Sequence, residues 1–286
     1  MKHHCVYIIA IILLLFIVGF SIFKNFEGFT NRTGVLFICQ GCTDVMNHLG
    51  LMKYYSEKYD KLYVCSSTDY KNLLTFYNKN TNIENIIYKP QYDGKDILLE
   101  YIRDNYNILE NSDYLFHGWY DERRKDDDKY KNIYSKLVTD RSDFNGSDFV
   151  NLYYSAYDIP TSVRIDYFIF ERDHELENRT YDNFIQEHGD KYILYHSNEN
   201  DNFIINKKDY KYINLNKKSD TFFDYIKILE NSLELHVMDS CWGCFIYLLD
   251  SKYRIFKDKV IYLYPQRNYV RMFDTWGFNS SRHITG

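Results

Sequence analysis

Alanine is nearly absent from the 286-residue chain, standing only at Ala10 and Ala156, and proline occurs three times. A basic excess is missing too: 35 Lys and Arg face 40 Asp and Glu, for a net charge of −5. That balance provides no basic face and argues against a nucleic-acid partner. No heptad pattern, low-complexity tract or internal repeat is present, so neither a coiled coil nor a repeat array is expected. One long apolar run exists, from Cys5 to Phe23, 19 residues without a charge.

That run is close to the ~20 residues a spanning helix needs, and it exceeds the ~7–15-residue apolar core of a cleaved signal. Bulky Phe20, Ile22 and Phe23 crowd its end, where a cleavage site needs small residues. The expectation is an uncleaved transmembrane signal anchor over residues 1–24, followed by a linker over 25–33. Lys2 and the terminal amine favour a cytoplasmic N-terminus, against Lys24 and Arg32 on the far side. The chain then reads as a single-pass, type II membrane protein with its folded part in the lumen or outside. Four N-x-[S/T] sequons, at Asn31, Asn145, Asn178 and Asn279, are compatible with that placement.

Aromatic residues are abundant at 19%, with 30 Tyr. Outside the apolar run lie five cysteines: Cys39, Cys42, Cys65, Cys241 and Cys244. Four of them form two C-x-x-C pairs far apart in sequence. Cys241-Trp-Gly-Cys244 follows a strand and opens a helix, as a thioredoxin-like redox motif does, but too little chain follows for the rest of such a domain. Packing of a strand–helix junction, a disulfide or redox role, and a metal site shared by the two pairs remain as alternatives.

From Gly34 onward the pattern alternates between strands and helices. Strands are expected at 35–39, 61–67, 83–88, 113–117, 192–196, 212–215, 233–238 and 260–264. Helices are expected at 43–58, from Asp69, at 96–107, within 123–143 and 151–170, at 173–188, 221–231 and 241–249. Along 43–58, Val45, Leu49, Met52 and Tyr55 share one face. Such alternation implies parallel sheets with helical crossovers. The polar stretch around Gly146 divides the chain into residues 34–145 and 146–286, two tandem Rossmann-like, doubly wound α/β domains. Ligands of such sheets bind at the carboxyl ends of the strands, here in a cleft between the two.

Chemistry-bearing residues gather at those ends. Gly41 permits a tight turn, and Asp44 opens the next helix as a cap or as a base in the cleft. His48 and His117 are further candidates for proton transfer, with Gly118 and Asp121 beside His117. Arg172 stands where a loop meets a helix, as a phosphate partner or in an ion pair with Glu175 or a neighbour. His196 and Ser197 end one strand, and His236, Asp239 and Ser240 lead into the helix beginning at Cys241. Asp239 or Ser240 caps that helix, whose first N–H groups form an anion site.

The segments "QGCTDVMNHLGLMKYY", "FHGWYDERRKDDDKY", "FERDHELENRTYDNF…YILYHS", "ELHVMDSCWGCFIYLL" and "KVIYLYP" together resemble small glycosyltransferase-like proteins of GT-B architecture from giant viruses and bacteria. Gly41 and Asp44 match a G-x-G-D-like loop, with Thr43 in place of the second glycine. His196 matches a strand-end His, followed here by Ser197 instead of an acidic residue. His236, Asp239 and Ser240 match an H-x-x-D-S-S-like turn, with Cys241 in place of the last serine. The resemblance implies a metal-independent, membrane-anchored transfer of sugar from a nucleotide sugar to a glycan or glycoprotein acceptor. No resident cofactor is implied. Residues 34–145 become the acceptor domain and 146–286 the donor domain. Asp44 becomes the base, with His48 and His117 behind it; Gly41, Arg172, His196, His236, Asp239 and Ser240 become donor-binding residues. Two other functions stay open: a non-catalytic glycan-binding or structural membrane protein on this fold, and a membrane-tethered thiol oxidoreductase.

Overall fold

The computed structural model describes residues 32–38, 42–67, 70–79, 81–88, 112–117, 149–155, 157–197, 210–215, 221–238, 240–264 and 283–285. The expected membrane anchor, the linker up to residue 31, the helices at 96–107 and 123–143, Cys39, Gly41 and Asp239 lie outside the described residues, and the end of the expected linker, Thr33, already belongs to the first strand. Among the described residues no helix is long and apolar enough to cross a membrane.

Two parallel sheets organise the chain. The first has the order β3-β2-β1-β4, from β1 (Thr33–Ile38), β2 (Lys61–Ser67), β3 (Ile83–Tyr88) and β4 (Ser112–His117). The second runs β6-β5-β7-β8-β9, from β5 (Tyr192–Tyr195), β6 (Lys211–Asn214), β7 (Leu235–Met238), β8 (Ile261–Tyr264) and β9 (His283–Thr285). The expected α/β class with parallel sheets is therefore present, and β9 adds a strand that the sequence pattern did not signal.

Strand order fixes where a ligand fits. The chain winds outward from β1 through β2 to β3, then returns to the other side of β1 as β4. It repeats the manoeuvre from β5 to β6 and back to β7. Each reversal opens a crevice outside the carboxyl ends of the two strands that flank it. The crevices therefore lie beyond β1 and β4 in one sheet, and beyond β5 and β7 in the other.

The strands are central, so their apolar residues are buried on both faces. Val35 to Ile38 and Leu235 to Met238 are uninterrupted buried runs, as expected for a parallel sheet covered on both sides. Two helices depart from the amphipathic pattern. Helix α1 (Cys42–Ser56) is buried from Val45 through Met52 without a break, polar Asn47 and His48 included. Among the described residues, the other helix buried in this way is α7 (Cys241–Tyr253), from Trp242 through Leu249. Single-faced burial was expected for α1. It is buried all round because it packs on its own sheet and, on its other side, on α7 and the connecting segment.

That connecting segment holds helix α3 (Phe149–Ser155) and the short α4 (Val163–Asp166). The expected single helical region at 151–170 is thus two short helices, separated at Asp158 (φ 54°) and Pro160. Both lie on α1: the Tyr154 hydroxyl donates to the Asn47 carbonyl at 2.7 Å. Gly50 of α1 faces the Val163 and Arg164 carbonyls so closely that only a residue without Cβ fits.

Much of the aromatic content forms the seam between the halves. Phe76 and Tyr77, around the end of α2 (Lys71–Tyr77), stack on Phe223 and Phe168, with centroid distances of 4.8 Å for Phe76–Phe223 and 5.9 Å for Tyr77–Phe168. Phe222 and Phe223 continue the seam onto Trp242 and Phe245 of α7. Each such pair is worth ~0.5–1.5 kcal/mol beyond its buried area. Helix α5 (His174–His188) begins at Asp173, whose carboxylate accepts from the Leu176 N–H at 3.0 Å, and ends at Gly189 with φ 84°. Helix α6 (Ile226–Asn231) extends a 3₁₀ turn at Phe223–Tyr225.

Candidate functional site

Helix α1 leaves the carboxyl end of β1, and α7 leaves the carboxyl end of β7. Their first residues, Cys42 and Cys241, are neighbours, each thiol shifting the other's pKa, up for Cys42 and down for Cys241. Further along, the Cys244 thiol donates to the Asn47 Oδ1 at 3.2 Å. The two helices therefore begin side by side, each at the carboxyl end of a strand that flanks a crevice.

Asp44 sits in the first turn of α1, partly exposed. The Cys42 thiol is pushed up first by its Cys241 neighbour and by burial, and Cys244 first by burial; the Asp44 charge adds a smaller push to both, as its place at the junction with α7 requires. The structure thus brings Asp44, from the first half, to the region of Cys241 and Ser240, from the second. His48, one turn on, is 0% exposed and its Nδ1 lies 2.5 Å from the Asp44 carbonyl. Burial lowers its pKa to about 4, leaving the ring neutral. The expected catalytic role for His48 is corrected: a ring with no exposed surface braces the first turn of α1 and does not meet a substrate. His117 ends β4 opposite Ile38 of β1, at the rim of the first crevice; its side chain lies outside the described residues.

At the second crevice, Ser240 caps α7. Its Oγ accepts from the Gly243 N–H at 3.3 Å and donates to the Met238 carbonyl at 3.1 Å. The neighbouring Cys42 thiol and, after it, the backbone N–H groups at the start of α7 lower the Cys241 pKa against burial. Across the crevice, His196 and Ser197 follow β5 and are buried, with the His196 N–H bound to the His236 carbonyl at 2.8 Å. Burial also depresses His196 to a pKa of about 4. Its Nδ1 is buried without a hydrogen-bond partner among the described residues.

Two expected donor-binding residues have their side chains engaged by other protein groups. The His236 ring lies between the Tyr264 hydroxyl at 2.9 Å and the Glu234 carboxylate at 3.1 Å, and stacks on Tyr262 at 4.3 Å. Both ring nitrogens serve the sheet, so the donor-binding assignment of His236 is corrected to a structural one. Arg172 is clamped by two carboxylates. Its Nε donates to Glu177 at 2.9 Å and its two terminal nitrogens to Glu230 at 2.7 and 3.0 Å, with a second bond to Glu177. Glu177 is 2% exposed, so the pair holds α5 to α6. The sequence alternative of an ion pair describes Arg172, with Glu177 and Glu230 as partners in place of Glu175.

Arg172 also lines a cavity of about 610 Å³ together with Lys53, Phe76, Lys79, Phe170 and His174. Lys53 belongs to the last turn of α1, so this cavity is at the opposite end of that helix from Asp44. The structure does not bring Arg172 and Ser240 together.

Sequence reasoning missed Asn47 and Arg164. Arg164 is 1% exposed, donates to Asn47 Oδ1 at 3.3 Å and to the Tyr247 hydroxyl at 3.2 Å, and lies over the Tyr247 ring at 4.9 Å. Asn47 therefore collects Arg164, Cys244 and Tyr154, and ties α1, α3, α4 and α7 into one unit. Nothing local in the sequence marks an Asn on an apolar helix as such a hub. Among the described residues no group of three or more His, Cys, Asp or Glu side chains is placed to hold a metal ion.

No family model matches the chain, and no curated protein matches it. Among solved structures, the chain is similar to the crystal structure of a glycosyl transferase family 9 protein from Veillonella parvula DSM 2008. The two superpose with a TM-score of 0.53 at 10% sequence identity, over 89% of this chain and 86% of that one. At that identity the likeness is one of fold: this chain shares the α/β architecture of a glycosyl transferase family 9 protein.

Proposed function

We propose that the chain is a glycosyltransferase that moves a sugar from a nucleotide sugar to a glycan or glycoprotein hydroxyl, in the cleft where α1 and α7 begin. The observation that supports this reading is the packing of the two helices that start at the carboxyl ends of β1 and β7, strands that flank the two switch points. A bisubstrate transfer needs that arrangement: one sheet holds the donor, the other the acceptor, and the reacting atoms meet between them. The shared fold with a glycosyl transferase family 9 protein agrees with it.

The donor diphosphate is assigned to the crevice between β5 and β7, against the start of α7, with Ser240 shaping the turn and His196 at its floor. The turn residues Gly41 and Asp239 are assigned by the sequence resemblance to the same cleft. Asp44 is the base. It takes the proton from the acceptor hydroxyl as that oxygen bonds to the anomeric carbon and the sugar–phosphate bond breaks, releasing the nucleoside diphosphate. Backbone N–H groups of α7 meet the leaving charge, and no metal is required. Residues 5–23 tether the enzyme to a membrane, with the cleft in the lumen or outside.

The test is thermal. A nucleoside diphosphate at a hundredfold excess over its dissociation constant stabilises by about 2.7 kcal/mol, which is a rise of roughly 5–11 °C in Tm for a chain of this size. The shift should survive EDTA. If no nucleoside diphosphate or nucleotide sugar raises Tm, the donor assignment fails. One observation favours a second reading, a non-catalytic member of the same fold: a thiol with a lowered pKa stands at the start of α7, where its negative form competes with a diphosphate. The same titration decides between the two.

A further inference from the structure

Two C-x-x-C pairs that are far apart in sequence contribute the first residue of α1 and the first residue of α7, Cys42 and Cys241, which are neighbours where the two helices pack, just before the Cys244–Asn47 hydrogen bond at 3.2 Å. Both thiols are present as free cysteines, and both are partly exposed. Neighbouring Cys244 differs: it is fully buried and donates to Asn47 at 3.2 Å. We propose that Cys42 and Cys241 form a reversible disulfide that ties the two halves together across the mouth of the cleft.

The chemistry follows from the surroundings of each thiol. The neighbouring Cys42 thiol and, after it, the N–H end of α7 favour the Cys241 thiolate, so Cys241 attacks first. The oxidant is a low-molecular-weight disulfide, RSSR. Cys241 thiolate attacks one sulfur of RSSR, forming a mixed disulfide and releasing RS⁻. Cys42, having passed its proton to the released thiolate, then displaces the second RS⁻ from Cys241. The two protein thiols are oxidised, one RSSR is reduced to two RSH, and no other electron acceptor is needed. Cys244 does not compete, because burial holds it as a thiol well above its usual range. The inference does not depend on what the cleft binds. A link at this point would fix the separation of α1 and α7, and hence the width of the cleft.

The experiment places the native full chain in a graded mixture of oxidised and reduced glutathione, followed by acid quench, alkylation of free thiols and peptide mapping without reduction. The expected result is a single cross-linked species joining the peptide of Cys42 to that of Cys241, reversed by reduced glutathione. It should be lost in Cys42→Ser and in Cys241→Ser and kept in Cys65→Ser, all three checked for native circular dichroism. Cys42→Ser should also trap glutathione on Cys241, as the missing resolving thiol requires. Pairing of Cys241 with Cys244, pairing of Cys42 with any other cysteine, or unreacted Cys42 and Cys241 in the folded chain would overturn the proposal.

Discussion

Replacing Gly50 by alanine tests the packing that brings the two halves together. An alanine Cβ at this position lies 2.7 Å from the Val163 carbonyl oxygen and closer still to that of Arg164. An ordinary carbon–oxygen separation is ~3.4 Å, so α1 and α4 have to part by roughly 0.7–1 Å. The obstacle is backbone, which has no rotamer to escape into. Overpacking of this kind costs ~1–3 kcal/mol, here at the upper end. The better helix propensity of alanine returns ~1 kcal/mol. The net loss is about 2 kcal/mol, or a fall of roughly 4–8 °C in Tm for a chain of this length. Thermal unfolding followed by circular dichroism reads it directly. The displacement also strains the hydrogen bonds of Arg164 to Asn47 and Tyr247, so the variant should expose the α1–α7 junction to faster amide exchange. A Gly50→Ala chain as stable as the parent, or more so, would refute the close approach of α1 to α4.

Other perturbations separate structural from functional residues. Arg172→Ala should lower stability by about 3 kcal/mol, because it strands the buried Glu177 carboxylate, while nucleotide affinity stays within twofold; chemical denaturation and a binding titration read the two effects. Pairing it with Glu177→Gln should restore most of the loss. Asp44→Asn should cut transfer by ~10²–10⁴-fold with unchanged nucleotide affinity, since a base acts in the transition state; transfer at the parent rate would leave Asp44 as a helix residue only. Acid should destabilise the fold through His48 and His196. Both have folded pKa values of about 4 against an ordinary 6.5, so above pH 6.5 neither contributes. Below it the unfolded chain takes up protons that the fold excludes, and stability falls until about pH 4, by about 3 kcal/mol for each histidine. His48→Asn keeps a donor for the Asp44 carbonyl and should remove its share of that slope in denaturation curves taken from pH 7 to 4.

Much of the fold was legible because parallel sheets write themselves as short, continuous apolar runs. Val35 to Ile38, Leu62 to Cys65 and Leu235 to Met238 each carry that mark, and their strands fall within two residues of the expected bounds. Helix α7 extends four residues beyond its expected end, to a left-handed Arg254, because its polar last turn carries no apolar period to read. The site was legible only as positions. Strand ends and helix starts located Asp44, His196 and Ser240, but which side chains stay available depends on partners distant in sequence. Glu230 is 58 residues from Arg172, and Tyr264 is 28 from His236. The approach of Cys42 to Cys241 is of the same kind. Two C-x-x-C pairs raised the possibility, and the packing of α1 on α7 supplies the contact.

The central claim is that ligand enters where α1 and α7 begin. Amide hydrogen exchange, with and without a saturating nucleoside diphosphate, tests it most directly. The account predicts slowed exchange at residues 240–246 and 193–197, with a weaker effect over 42–48. Slowed exchange confined to Lys53, Phe76 to Lys79 and Ile169 to His174, which line the cavity at the far end of α1, would contradict it.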